Sequence, residues 1–125
     1  VFGPFILIQL LLPLMNKKNK SHILNIGSMG GFQGSSKYAG LSAYSSSKAS
    51  LSVLTECLAE EFKTKNISVN CLALGAVQTE MLNLAFPGYK APLTSKQMAK
   101  FICHFALTGH EYFNGKIIPV SSSTP

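Results

Sequence analysis

Tyr44 and Lys48 stand four positions apart in "SAYSSSKASL" (residues 42–51), two long titratable side chains within a run of small ones. On a helix four residues complete slightly more than one turn, so the two share a face. An ammonium beside a phenol favours the phenolate, which suits the pair to moving a proton. Ser28 ends a short apolar run and can return toward the start of that helix through the glycine-rich "GSMGGFQGSS", bringing a hydroxyl able to polarise a carbonyl. Together the three would make a proton-transfer site. Taken alone, Tyr44 and Lys48 read more simply as a solvated helical pair, so the elements around them must decide.

Other chemistries fit poorly. The 125 residues carry a net charge of +6, yet every base is lysine and every acid glutamate. Arginine, the usual bidentate reader of bases and phosphates, is missing, and the lysines scatter apart from "NKKNK" at 16–20. Without aspartate no Ser-His-Asp triad can form, and His22, His104 and His110 sit in no metal-ligand spacing. The chain is therefore read as binding neither nucleic acid nor metal. Cys57, Cys71 and Cys103 are odd in number and embedded in apolar stretches, which reads as buried free thiols in a reducing cytoplasm.

The opening run "FGPFILIQLLLPLM" is interrupted by Gln9 and Pro13, and its positive charges follow it instead of preceding it. It reads as a helix over residues 3–15 packed on several sides, neither a leader nor a membrane span. Because the chain begins at Val1 and enters this run directly, it reads as a piece of something longer.

"HILNIG" (22–27) and "ISVNCLAL" (67–74) read as strands, the second alternating before its glycine. "KIIPV" (116–120) is a third, with Pro119 favouring its end or an edge. An amphipathic helix spans roughly 43–63, with Tyr44, Lys48, Leu51, Thr55, Leu58 and Phe62 at helical spacing. Another runs from Thr94 or Ser95 to Leu107, striped by Met98, Ile102, Phe105 and Ala106 and stopped by Gly109. This α-β-α-β-α-β order requires parallel strands with right-handed crossovers. The fold class is α/β: a partial Rossmann-type, doubly wound parallel sheet in three α/β/α layers, one partial domain over 1–125. Ligands of such sheets sit at the carboxyl ends of the strands, here "GSMGGFQGSS" and "GAVQTEM".

"NIGS", "AYSSSK" and "NISVNCLALGAVQTEM", in that order on those elements, resemble successive landmarks of the short-chain dehydrogenase/reductase family. "FGPF…LLPLM" resembles its helix before the serine strand, and "FNGKIIPV" its last strand. The resemblance implies an NAD- or NADP-dependent oxidoreductase acting on a small carbonyl or alcohol. Tyr44 would be the general acid/base, Lys48 would favour its ionised form and hold the nicotinamide ribose, and Ser28 would orient the substrate. Gly75, Val77 and Thr79 would join Tyr44 and Lys48 in lining the cofactor pocket. Residues 83–92, "NLAFPGYKAP", would form a substrate lid, and the helices at 3–15 and 43–63 would be the self-contact faces of a homo-oligomer.

Tyr38 is a rival tyrosine, but Ser42 stands where its lysine should be, and Ser35 and Ser36 lie too close to Tyr44 to rival Ser28. Thr79 can equally be a helix N-cap. Leu74 replaces the family's proline before Gly75, and the interval from Ser28 to Tyr44 is longer than usual. No pyrophosphate-binding glycine loop with its acidic or basic selector is present, so NAD and NADP are not distinguished. The alternative from another class is a non-catalytic α/β module that acts only through self-association or a partner.

Overall fold

The computed structural model describes residues 1–15 and 17–122. In chain order the elements are α1 (Phe2–Leu11), β1 (Ser21–Ser28), α2 (Ser42–Glu61), β2 (Ile67–Leu74), β3 (Val77–Gln78), α3 (Glu80–Ala85), β4 (Leu93–Thr94), α4 (Ser95–Thr108) and β5 (Ile117–Val120). The three longer strands form one parallel sheet in the order β1-β2-β5. Helices cover both faces, as the α/β reading required. Pro119 lies on β5, an edge of this sheet among the described residues, where its missing N–H is tolerated.

The centre of the sheet is β2, and there the expected alternation gives way to burial along Ile67–Ala73. A parallel strand covered on both faces has no solvent side, so its polar residues must be satisfied internally. Val69 turns toward α1 and α2, packing with Ile8, Leu58, Ala59 and Phe62. Asn70, on the other face, accepts from the Lys116 amide at 3.0 Å and donates to the Phe113 carbonyl at 2.9 Å. Asn25 donates to Thr55 Oγ1 at 2.9 Å, and Thr55 in turn donates to the Leu51 carbonyl, which ties β1 to α2. Both strand asparagines are structural.

Two expectations are corrected. α1 is not packed on several sides: Ile8 is buried, while Phe2, Leu7 and Leu10, and Leu14 in the turn after the helix, are exposed. One face meets the core, and no described segment covers the others. Of the three free cysteines only Cys71 is buried; Cys57 and Cys103 lie on the outer faces of α2 and α4. Burial pushes the Cys71 thiol up, against a hydrogen bond from Ser52.

α4 begins with a capping box, Thr94 accepting from the Gln97 amide while Gln97 reaches back to the Thr94 amide. It ends at Gly109, whose φ of −63° is ordinary. A Cβ there would stand 2.6 Å from the Phe105 ring, so the glycine is demanded by packing rather than by a left-handed turn.

At the amino end of the sheet His22 Nδ1 donates to the Ala106 carbonyl at 3.0 Å, and its Nε2 accepts from Asn70 Nδ2 at 3.0 Å. The His110 ring lies 5.4 Å away, centroid to centroid. Burial holds His22 below its ordinary value; the Ala106 carbonyl opposes this, and His110 and Lys20 add to it.

Candidate active site

Parallel pairing brings Ser28 opposite Leu74, so the segments leaving β1 and β2 emerge at the same carboxyl edge. Ser28 caps a single 3₁₀ turn, Met29–Gly31, by accepting from the Gly30 amide at 3.1 Å. That turn lies directly on the first turns of α2. A Cβ at Gly30 would stand 3.4 Å from Ser28 Oγ, 3.4 Å from Tyr44 Cε1 and 3.5 Å from Ser45 Oγ. One at Gly31 would stand 2.5 Å from the Ala49 amide nitrogen and 2.6 Å from Lys48 Cβ. The two glycines let the serine turn and the tyrosine helix approach, and the small residues of "SAYSSSKASL" are the other side of that contact.

Tyr44 is 37% exposed on the first turns of α2. Lys48 follows one turn later, its Nζ 5.9 Å from the Tyr44 ring centroid and donating to the Ile26 carbonyl at 3.1 Å. Ser28, Tyr44 and Lys48 are thus gathered around one turn at the carboxyl end of β1. A hydroxyl, a phenol and an ammonium in this arrangement can polarise a carbonyl and exchange a proton with it.

Gly75, Val77 and Thr79 follow β2 at this end, each with a local duty. A Cβ on Gly75 would stand 2.5 Å from Ser121 Oγ, and its amide is bonded to the Val120 carbonyl at 2.9 Å. Val77 is half-buried and pairs with Leu93. Thr79 caps α3, accepting from the Leu82 amide at 3.2 Å, which leaves its hydroxyl proton for another partner. Ser35 donates to the Met29 and Phe32 carbonyls and accepts from Lys37 Nζ, so this rival serine braces its own loop.

Sequence reasoning missed Gln78. Its side chain donates to Asn83 Oδ1 at 2.6 Å and accepts from the Ala91 amide at 2.9 Å, holding both ends of the 83–92 segment. It also missed the β3–β4 pairing, since two-residue strands leave no periodicity to find. Among the described residues no group of three or more His, Cys, Asp or Glu could hold a metal, and no helix is long and apolar enough to cross a membrane.

A family model described as short chain dehydrogenase matches residues 1–90. The chain belongs to the short-chain dehydrogenase family. An NADP-dependent 3-hydroxy acid dehydrogenase of Schizosaccharomyces pombe is 34% identical over 121 residues, covering 89% of this chain and 45% of that protein. The structure also resembles a Pseudomonas aeruginosa RhlG/NADP active-site complex, at TM-score 0.79 and 29% identity, covering 99% of this chain and 54% of that one. It resembles a 4-hydroxyisoleucine dehydrogenase complexed with NADH too, at TM-score 0.73 and 26% identity, covering 96% and 53%. This short-chain dehydrogenase chain therefore spans about half the length of the relatives it matches. The matches carry the partial Rossmann-type sheet with them and lend nothing to a non-catalytic module.

Proposed function

We propose that the protein carrying this chain moves hydride between NAD or NADP and a small carbonyl or alcohol. Tyr44 acts as general acid/base, Ser28 orients the reacting oxygen and Lys48, its ammonium beside the phenol ring, holds the nicotinamide ribose. The observation that carries this reading is the close approach at Gly30, where a Cβ would stand 3.4 Å from both Ser28 Oγ and the Tyr44 ring carbon Cε1, so that the serine and the tyrosine ring meet over one glycine.

The residues fit the nicotinamide end of a dinucleotide. Lys48 spends one of its three N–H groups on Ile26, leaving others for ribose hydroxyls, and Thr79 keeps a hydroxyl proton to donate. Gly75 and Val77 contribute backbone at the same sheet edge. When bound, the dinucleotide supplies or accepts the hydride; the pyrophosphate cradle is not supplied by these residues. Relatives described with NADP and with NADH leave either cofactor consistent with the site.

Residues 83–92 serve as the substrate lid of this one partial domain, and α1 with α2 forms the self-contact face of a homo-oligomer. Three free thiols suit a reducing cytoplasm.

Replacing Tyr44 by Phe in the full-length protein is the direct test. Oxidation of NADH or NADPH against a carbonyl panel should vanish while far-UV circular dichroism stays unchanged; a Y44F rate equal to the wild type overturns the assignment.

A further inference from the structure

Asn114 is the one asparagine of seven that precedes a glycine; the others are followed by lysine, isoleucine, cysteine or leucine. In such a pair the glycine nitrogen can close on the side-chain amide carbon, because no Cβ stands beside it. The turn itself demands the glycine. Gly115 bends the chain at φ +70° before β5, and a Cβ there would stand 3.2 Å from Ala59 Cβ.

One buried residue engages both halves of that reaction. The Val69 N–H donates to Asn114 Oδ1 at 3.0 Å, which pins the side-chain amide. The Gly115 N–H donates to the Val69 carbonyl at 2.8 Å, which commits the proton that the attacking nitrogen must lose. Asn70 grips the flanks of the same turn, donating to the Phe113 carbonyl at 2.9 Å and accepting from the Lys116 amide at 3.0 Å. Val69 and Asn70 lie fully buried in β2, whereas Asn114 is exposed to the water that would complete the reaction. Freeing both reacting atoms requires the turn to leave β2. The strand it feeds, β5, is four residues long and lies at an edge of the described sheet, the kind of element that opens locally before the rest.

We propose that Asn114 and Gly115 form a deamidation site that records the opening of β5, and that its isoaspartyl product keeps the strand from closing again. In the opened turn the Gly115 nitrogen bonds to Asn114 Cγ; the Cγ–Nδ2 bond breaks and ammonia leaves with the amide proton, giving a cyclic imide. Water then splits the imide at either carbonyl. One product is aspartate, which retains an oxygen for the Val69 N–H. The other is isoaspartate, whose main chain runs through Cβ and is one carbon longer, so that residue 114 and the Gly115 N–H no longer reach Val69 together. The damage extends along the strand, since the Gly75 amide is bonded to the Val120 carbonyl at the far end of β5.

Peptide mass spectrometry of the full-length protein, held in mildly alkaline buffer with and without denaturing urea, tests the clamp. Asn114 should convert at least about tenfold faster in urea, because the reaction follows the population of the open form. Asn70→Ala, which loosens the turn without touching the reacting pair, should raise the folded-state rate about three- to tenfold, and Asn114→Gln should remove the product. Equal rates with and without urea overturn the clamp, as does a folded Asn70→Ala protein that reacts like the wild type; an Asn114 that survives in urea overturns the site. Where Asn70→Ala does not fold, the wild-type ratio decides.

Amide hydrogen exchange tests the consequence. In the isoaspartyl fraction exchange at Gly115 and Gly75 should be about tenfold faster than in unreacted protein, while Asn114→Asp should exchange like the wild type. Unchanged exchange in the isoaspartyl fraction, or equal acceleration in Asn114→Asp, overturns the failure to close. None of these readouts depends on the oxidoreductase reading.

Discussion

Lys48 reaches from α2 to β1 and hydrogen-bonds the Ile26 carbonyl at 3.1 Å, one helical turn beyond Tyr44. The bond holds the ammonium at the carboxyl end of the strand that delivers Ser28. A long, flexible side chain on a half-exposed helix would otherwise sample many rotamers. Its position beside the phenol is therefore set by the sheet as much as by the helix.

Replacing Lys48 by Ala should lower kcat/KM at least about 100-fold, because the ammonium beside Tyr44 that is proposed to hold the nicotinamide ribose is removed. Stability should fall by only about 1 kcal/mol, since one partly exposed hydrogen bond is removed. Steady-state kinetics beside urea denaturation would separate the two effects. Activity and stability falling in proportion would make Lys48 merely structural.

Gly31→Ala should act through geometry. The added Cβ would meet backbone and Cβ atoms of Lys48 and Ala49 at 2.5–2.6 Å, none of which can rotate away. Overpacking of this kind costs about 1–3 kcal/mol. Gly27→Ala meets the Cys71 sulfur at 2.7 Å, a softer neighbour at a side-chain tip. Denaturation midpoints should fall for both, and G27A should recover when Cys71→Ala is added while G31A should not.

The order α-β-α-β-α-β was legible because helices separate the strands, and parallel pairing leaves few arrangements for such a chain. Ser28, Tyr44 and Lys48 were legible because each lies on or beside an element long enough to show its period. The contact of the Tyr38 and Phe86 rings was not, the two being 48 positions apart on irregular segments. Nor was the meeting of His22, Asn70 and His110, which depends on the register of β1 against β2 and the path of the chain after α4. The exposure of α1, Cys57 and Cys103 escaped for a different reason: apolar composition reports what can be buried, not what is present to bury it.

Acid should weaken the fold through His22. Its Nδ1 donates to Ala106, and its Nε2 must accept from Asn70, whose other positions are committed to Phe113 and Lys116. A proton on Nε2 would set donor against donor. Burial holds the folded-state value below 6.5, with His110 and Lys20 adding to the effect. The unfolded chain thus takes up the proton first, and stability should be full above pH 6.5, decline below it and level off once the folded form protonates. His22→Gln should flatten this decline at a cost of about 1–3 kcal/mol at neutral pH. Urea titrations at several pH values would show it; an undiminished decline in H22Q would assign the effect elsewhere.

The face of α1 away from the core should make the isolated chain self-associate. Phe2, Leu7 and Leu10 on the ten-residue helix and Leu14 in the turn that follows it are 56–81% exposed, beside an apolar groove bordered by Leu7, Leu11, Leu14 and Ile26. Contiguous apolar surface of this kind is uncommon on a stable monomer. Sedimentation of the chain across a dilution series should show a concentration-dependent shift to larger species. Leu7→Lys with Leu14→Lys should abolish the shift without unfolding the sheet, because neither side chain belongs to the core built by Ile8, Leu58 and Val69. Association that survives both lysines would place the self-contact elsewhere, with the exposed face of α2 carrying Val53 and Cys57 as the next surface to test.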